Sequence, residues 1–290
     1  MNEFKEIRFT SADGLSLYGR VYGKDEASAP TVVCLAGLTR NSRDFHGLAA
    51  SLATDGFRVV TIDSRGRGNS DFANDIAEYN VVTEAEDVLA GLAALGIEHA
   101  AFIGTSRGGL LIHMLAAMRP TVMRAVVLND IGPVIELDGL FQIRGYLGQA
   151  PALTSWGEAA TVQKALHGKA FPALADDDWM RHANAIYKQD TKGNIVPDYD
   201  PQIAQTLAGL KADAQLPPLW AQFDGLKHLP LIILRGENTR LLSQKTFDEM
   251  LARHPGSIGV TVPGQGHAPM LDTGTLPAQI GKFLKAATTV

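Results

Sequence analysis

Residues 100–118, AAFIGTSRGGLLIHMLAAM, contain the pattern that decides the fold. An apolar run typical of a buried strand leads into GTSRG (104–108), and a helical pattern follows it. This G-x-S-x-G sequence on a strand–turn–helix is typical of a serine displayed as a nucleophile. The residues two before and two after Ser106 face each other across the turn, so both have to be small. The segment therefore predicts that Ser106 lies on a tight turn at the edge of a sheet.

Strand and helix patterns alternate on both sides of this segment. Continuous apolar runs, typical of strands buried on both faces, occur in TVVCLAG (31–37), RVVTIDSRG (58–66), RAVVLND (124–130) and LIILRGE (231–237). Helical patterns such as TEAEDVLAGLAALG (83–96) separate them. Such alternation predicts an α/β protein with a mostly parallel sheet flanked by helices.

The alternation stops in the middle of the chain. Residues 131–227 show helical patterns, for example over 176–189 and 201–214, and no convincing buried strand. Because this stretch is too long for a loop, we interpret it as an inserted helical lid on a core of residues 1–130 and 228–290. A lid inserted after RAVVLND leaves the sheet at the carboxyl ends of its strands, where open α/β sheets place their active sites.

Composition excludes several classes of function. The chain has 290 residues, 46% hydrophobic and 20% charged, with a net charge of −5, so we expect neither disorder nor nucleic-acid binding. No apolar run approaches a membrane span, and the single cysteine, Cys34, excludes an intrachain disulfide. The first residues lack an apolar signal core, and the spacings typical of zinc sites are absent. We expect a cytoplasmic protein with no metal and no cofactor, and the oligomeric state stays open.

A serine hydroxyl needs a general base, and His267 is the best candidate among the eight histidines. It follows the late strand pattern SIGVTVPG (257–264) on a glycine-flanked turn, whereas the other histidines fall in helical or lid segments.

Taken together, these segments resemble the α/β-hydrolase fold, in its lidded esterase, lactonase and carbon–carbon hydrolase forms. The resemblance covers essentially the whole chain and rests on LAGLTRNSRDF (35–45), DSRGRGNSD (63–71), GTSRGG (104–109), LNDIGP (128–133), RGENTRLLS (235–243) and GQGHAP (264–269). It implies an eight-stranded sheet and a Ser–acid–His order along the chain. It also implies an oxyanion hole formed by the backbone amides of Leu38 and Arg107.

The chain departs from the family pattern at two places. Ala36-Gly37 stands where relatives usually carry His-Gly, which affects the geometry of the oxyanion loop. Arg240 stands where the acid is usually found, and arginine cannot orient an imidazole. We favour Asp130, at the end of the RAVVLND strand, as the acid, with Glu237 as the alternative; a chain without a working acid is the third possibility.

Three residues are candidates for substrate binding. By analogy with related dehalogenases, the Arg107 side chain is a candidate to enter the pocket and hold a substrate carboxylate. The alternative, which we favour, is that it pairs with an acid beside the helix N-terminus. Trp179 and Tyr187 either line an apolar pocket or pack the lid onto the core. The sequence thus predicts a hydrolase acting on a small ester or lactone, and Arg107 adds an anionic substrate as an option. The alternatives are hydrolysis of a carbon–carbon bond in a diketone-like acid, and ligand binding on a degenerate hydrolase fold.

Overall fold

The computed structural model describes residues 4–24, 29–148 and 153–288. Its strands are β1 (Phe4–Thr10), β2 (Ser16–Tyr22), β3 (Thr31–Leu35), β4 (Arg58–Asp63), β5 (Ala100–Thr105), β6 (Met123–Asn129), β7 (Tyr187–Gln189), β8 (Ile195–Pro197), β9 (Leu231–Gly236) and β10 (Ile258–Val262). Its α-helices are α1 (His46–Thr54), α2 (Val81–Ala94), α3 (Arg107–Met118), α4 (Leu137–Tyr146), α5 (Trp156–His167), α6 (Asp176–Ile186), α7 (Trp220–Asp224), α8 (Gln244–Arg253) and α9 (Leu276–Thr288). Short 3-10 helices cover Ser42–Phe45, Ile76–Glu78, Pro120–Val122 and Pro201–Leu207.

Eight strands form one sheet in the order β1-β2-β4-β3-β5-β6-β9-β10. β2 runs antiparallel to both of its neighbours, and the remaining pairs are parallel. The predicted mostly parallel eight-stranded sheet is therefore confirmed. The order brings β5, β6 and β9 side by side, so their carboxyl ends meet at one edge.

Two hydrophobic layers cover the sheet. Residues of α2, α3, α7 and α8 pack on one face, and residues of α1 and α9 pack on the other. β5 is buried along its whole length, which explains its continuous apolar sequence. Burial on both faces fixes the position of the turn that follows β5.

The segment between β6 and β9 is not helical throughout. The helix predicted over 176–189 ends at Ile186, and β7 and β8 form a two-stranded hairpin. The Asp190 carboxylate accepts the amide hydrogens of Lys192 and Asn194, and Gly193 takes a positive φ of 87°, which together close the turn. Of the helix predicted over 201–214, only the 3-10 turn Pro201–Leu207 forms. We call residues 131–227 the cap; within its described part, Trp179, Tyr187 and Ile195 belong to a separate small core.

Candidate active site

Ser106 lies on the turn between β5 and α3 with a positive φ of 51°. A Cβ atom on Gly104 would lie 2.6 Å from the backbone of Gly108, and one on Gly108 would lie 2.0 Å from the carbonyl oxygen of Leu35. Both positions therefore require glycine. Gly104 faces Gly108 across the turn, as the sequence pattern indicated, and Gly108 packs against the end of β3. The Ser106 amide donates to the carbonyl oxygen of Asn129, which ties the turn to the end of β6.

Ser106, His267 and Asp130 form a continuous hydrogen-bond chain. Ser106 Oγ lies 2.8 Å from His267 Nε2, and His267 Nδ1 lies 2.7 Å from Asp130 Oδ2. Because a carboxylate accepts hydrogen bonds, Nδ1 carries the proton and Nε2 is free to accept one from the serine. The arrangement has the geometry in which a base can activate a serine and an acid can orient that base.

The Asp130 carboxylate is completely buried, and each of its two oxygens makes a hydrogen bond. Its Oδ1 accepts the Gly236 amide hydrogen at 2.8 Å, while Oδ2 faces His267. The residue directly follows β6 with a positive φ of 56°, a conformation that aspartate tolerates better than most residues. The neighbouring strands β6 and β9 thus hold the carboxylate from two sides.

Glu237 lies elsewhere. Its side chain is exposed, and its Oε2 accepts the Gly264 amide hydrogen at 2.7 Å instead of contacting His267. Arg240 is also exposed. Of the two candidate acids, the structure brings Asp130 and not Glu237 to the histidine.

The loop after β3 lies next to the serine. A Cβ atom on Gly37 would lie 3.9 Å from Ser106 Cβ, and Leu38 follows on the wall of the same cavity. The Leu38 amide donates no hydrogen bond to any residue in the described ranges. The Arg107 amide is the first of α3, where helical geometry leaves amide hydrogens without a partner. Two backbone amides without a partner among the described residues therefore belong to the segments on either side of Ser106.

A cavity of about 420 Å³ opens above Ser106 and His267, between the sheet edge and the cap. Its size falls in the range of small-molecule sites, roughly 300–1,000 Å³. The cap contributes Tyr146, Met180 and His182 to its wall, and the loop after β3 contributes Arg40. A small substrate in this cavity contacts the serine and the cap at the same time.

Comparison with known proteins assigns the family. The family model described as alpha/beta hydrolase fold matches residues 30–272. The chain belongs to the α/β-hydrolase family. An α/β hydrolase from Novosphingobium aromaticivorans is 42% identical, with a TM-score of 0.91 over 98% of this chain and 99% of that chain.

Two named hydrolases are similar to this chain over most of their lengths. A 3-hydroxybutyrate-oligomer hydrolase of Cupriavidus necator is 33% identical over 262 residues, 88% of this chain and 87% of the relative. A 2-(acetamidomethylene)succinate hydrolase of Mesorhizobium japonicum is 29% identical over 245 residues, 84% of each chain. The protein is accordingly an α/β-hydrolase enzyme.

The side chain of Arg107 does not enter the cavity of this α/β hydrolase. Its Nε and Nη2 donate to the two carboxylate oxygens of Glu84, at 2.7 and 2.9 Å, and Nη2 also donates to the Tyr79 carbonyl oxygen. The expected contact with a substrate carboxylate is therefore corrected: the guanidinium is held by a buried acid behind α3.

Trp179 and Tyr187 line a smaller cavity of about 90 Å³ beside the main one. Trp179 is 2% exposed and packs edge-on against Phe171 and His182. The Tyr187 hydroxyl accepts a hydrogen bond from Gln163 at 2.7 Å. Both residues therefore pack the cap and also face a space that adjoins His267.

Sequence reasoning missed Arg40 and His182. Arg40 Nη1 donates to Asp44 Oδ1 at 2.9 Å and to His182 Nδ1 at 3.1 Å. Burial first, and then the Arg40 charge, lower the pKa of His182 well below its ordinary value, so the ring is neutral and can accept this bond. The available signal was helical spacing, since His182 lies three residues after Trp179 and shares its buried face.

The described residues contain no group of three or more histidine, cysteine or acidic side chains placed to bind a metal ion. Among these same residues, no helix is both long and apolar enough to cross a membrane.

Proposed function

We propose that this α/β hydrolase is a serine hydrolase that cleaves a small carboxylic ester or lactone through an acyl-enzyme. The observation that carries the proposal is the chain of hydrogen bonds from Ser106 through His267 to Asp130, which ends at the floor of a cavity of about 420 Å³. In this proposal Ser106 is the nucleophile, His267 the base and Asp130 the acid.

The reaction proceeds in two halves. Ser106 Oγ attacks the ester carbonyl carbon while His267 Nε2 takes its proton, and the amides of Leu38 and Arg107 hold the oxyanion. Collapse of the tetrahedral intermediate breaks the bond to the alcohol, which leaves with the proton from His267. Water then attacks the acyl-enzyme, gives a proton to His267 and releases the acid, and the serine regains its proton. With a lactone, the leaving alcohol stays attached to the acyl group.

The substrate that we propose carries a carboxylate, and Arg40 recognises it. Arg40 lines the main cavity, and its Nε and Nη2 donate to no described residue, so they are available to an anion. The names of these two relatives point the same way, since 3-hydroxybutyrate and succinate are both carboxylates. A linear ester of a short hydroxy acid, such as the 3-hydroxybutyrate dimer, combines the ester bond with the required charge.

The two alternatives have less support. Carbon–carbon hydrolysis was motivated by Arg107 as a carboxylate holder, and that guanidinium pairs with Glu84. Ligand binding without catalysis rests on the departures at Ala36 and Arg240, and neither residue belongs to the hydrogen-bond chain of Ser106, His267 and Asp130.

Labelling with a fluorophosphonate and peptide mapping test the nucleophile without a choice of substrate. We expect stoichiometric labelling at Ser106 that is lost in His267→Ala. A folded wild-type protein that takes no label would contradict the proposal.

The carboxylate is tested by comparing the 3-hydroxybutyrate dimer with its methyl ester. Arg40→Gln should lower the ratio of their kcat/KM values about 10–100-fold, as for the loss of a hydrogen bond to a charged group. Arg107→Leu, the matched control, should leave this ratio unchanged. An unchanged ratio in Arg40→Gln, or an equal fall in both variants, would refute the role of Arg40.

A further inference from the structure

A cluster of buried charges lies directly behind the two proposed oxyanion amides. At its centre is Glu84 on α2, whose side chain has no exposed surface. Its carboxylate accepts three hydrogen bonds: one from Arg67 Nη1 at 2.8 Å and two from Arg107 at 2.7 and 2.9 Å. Both arginine side chains are themselves largely buried: 1% of the Arg67 side chain and 14% of the Arg107 side chain is exposed.

Arg67 connects this cluster to the oxyanion loop. Its Nε donates to the carbonyl oxygen of Leu38 at 2.8 Å, which fixes the peptide group that follows Leu38. The preceding peptide group is fixed as well, because the Gly37 carbonyl oxygen accepts the Arg40 amide hydrogen at 3.1 Å. In a trans peptide the amide hydrogen points away from the carbonyl oxygen, so this second bond directs the Leu38 amide hydrogen to the opposite side of the turn.

Arg107 connects the cluster to the nucleophile turn. It is the residue after Ser106 and the first residue of α3, and its amide is the second proposed oxyanion donor. The two bonds from its side chain to one carboxylate fix the guanidinium in plane and in distance. A single carboxylate, Glu84, thus binds two arginines. Arg67 is hydrogen-bonded to Leu38, the first proposed oxyanion donor, and Arg107 itself supplies the second.

We propose that Glu84 and Arg67 are positioning residues that hold the Leu38 and Arg107 amides at the separation an oxyanion requires. The inference rests on the proposed serine-hydrolase function. Neither side chain touches the substrate; both act through the backbone of the loop after β3 and of the turn before α3.

The electrostatics suit such a role. Burial alone raises the pKa of Glu84, but the charges of Arg67 and Arg107 outweigh it and hold the pKa below its ordinary value. The carboxylate therefore stays ionised and bonded through the neutral pH range. Oxyanion stabilisation depends on donors that are already oriented before charge develops, and a rigid ion cluster supplies that orientation.

The chain contains a matched control for this cluster. Arg65 lies two residues before Arg67, and Asp87 lies three residues after Glu84 on α2. Arg65 Nε and Nη2 donate to the two Asp87 carboxylate oxygens at 2.7 Å each, and both residues are buried. This second ion pair joins the same two segments, and within the described ranges its side-chain hydrogen bonds reach neither Leu38 nor Arg107.

The test compares Glu84→Gln and Arg67→Lys with Asp87→Asn. Arg67→Lys keeps a positive charge beside Glu84, which favours folding, but it removes the Nε donor that bonds the Leu38 carbonyl oxygen. The readouts are kcat and KM for p-nitrophenyl butyrate, the inhibition constant of butylboronic acid, the pH profile and the melting temperature. Butylboronic acid forms a tetrahedral anionic adduct with a serine oxygen and so reports on the oxyanion hole.

Loss of one oxyanion donor costs about 10²–10³ in kcat, so a displaced donor should cost about 10–100-fold. We expect Glu84→Gln and Arg67→Lys to lose this factor in kcat and to weaken butylboronic acid by the same factor. KM and the midpoint of the pH profile should stay near the wild-type values, because the His267–Asp130 pair is untouched. Asp87→Asn should lower the melting temperature to a similar extent but keep kcat and butylboronic acid affinity.

Two results would overturn the inference: rates in both test variants that fall no further than in Asp87→Asn, or a fall in kcat with butylboronic acid affinity unchanged. Wild-type labelling at Ser106 separates failure of the positioning role from failure of the proposed serine-hydrolase function. If the wild type is labelled and active while the variants match the control, the positioning role alone fails. If the folded wild type is neither labelled nor active, the proposed function fails together with it.

Discussion

Replacement of Asp130 by asparagine tests the proposed triad at its most constrained atom pair. The carboxylate accepts two hydrogen bonds, from the Gly236 amide at 2.8 Å and from His267 Nδ1 at 2.7 Å. An asparagine side chain has one acceptor oxygen and one donor nitrogen, so it can serve only one of these two donors. Because the site is completely buried, water cannot serve the other.

The size of the fall in kcat or in stability depends on whether His267 or Gly236 loses its acceptor. If the amide oxygen faces Gly236, the amide nitrogen faces His267 and forces the proton from Nδ1 to Nε2, so that Nε2 cannot accept the Ser106 proton. This wrong tautomer should lower kcat about 10³–10⁴-fold, equivalent to about 4–5.5 kcal/mol in the activation barrier. If the oxygen faces His267 instead, the Gly236 amide is left buried and unpaired, and the protein should lose about 1–3 kcal/mol of stability.

The assay is hydrolysis of p-nitrophenyl butyrate at neutral pH, with urea unfolding of the same samples. Glu237→Gln is the control: Glu237 bonds to the Gly264 amide and should leave kcat within about twofold of the wild type. The reasoning is refuted if Asp130→Asn keeps more than about a tenth of the wild-type rate at unchanged stability. It is refuted equally if Glu237→Gln loses as much activity as Asp130→Asn.

Two further predictions concern folding. Gly108→Ala should yield little folded protein, because its Cβ atom would lie 2.0 Å from the Leu35 carbonyl oxygen. Gly145→Ala is the control and should fold normally, because its Cβ atom would have no atom outside its own helix backbone within 4 Å. Equal soluble yields of the two variants would contradict the steric argument. Burial lowers the pKa of His113 to about 4, so the unfolded chain binds a proton below about pH 6.5 that the folded protein does not, and stability falls as the pH falls. Urea unfolding gives the free energy of unfolding at pH 7 and at pH 5. Between these pH values His113→Leu should lose about 2 kcal/mol less of it than the wild type does. An equal loss in both proteins would contradict the lowered pKa of His113.

The elements that could be predicted from sequence are those with strong local signals. The strands β3 to β6 and β9 are buried on both faces and show continuous apolar runs, and Gly104 and Gly108 mark the turn by steric necessity. The β7–β8 hairpin was missed because three-residue strands have no clear period, and Tyr187 continues the helical pattern of α6.

Contacts between distant segments were beyond local patterns. The sequence left two possibilities open for the Arg107 side chain and three for the acid, because it does not show which segments are neighbours. Arg107 pairs with Glu84, 23 residues away on another helix, and no spacing rule relates the two. Arg40 and His182 are 142 residues apart and meet only because the cap folds back over the sheet edge.

The arginine at position 240 is compatible with the proposed triad because of the order of the strands in the sheet. β6 and β9 are adjacent and parallel, so their carboxyl ends lie side by side, and a carboxylate from either strand end can reach the histidine loop. Once Asp130 supplies it from β6, the loop after β9 is free to do something else. Its Gly236 amide orients Asp130, and its Glu237 carboxylate holds the Gly264 amide at the start of the loop that carries His267. The loop after β9 thus holds Asp130 and the start of the His267 loop without contributing the proposed acid. The exposed Arg240 at its far end interferes with neither bond.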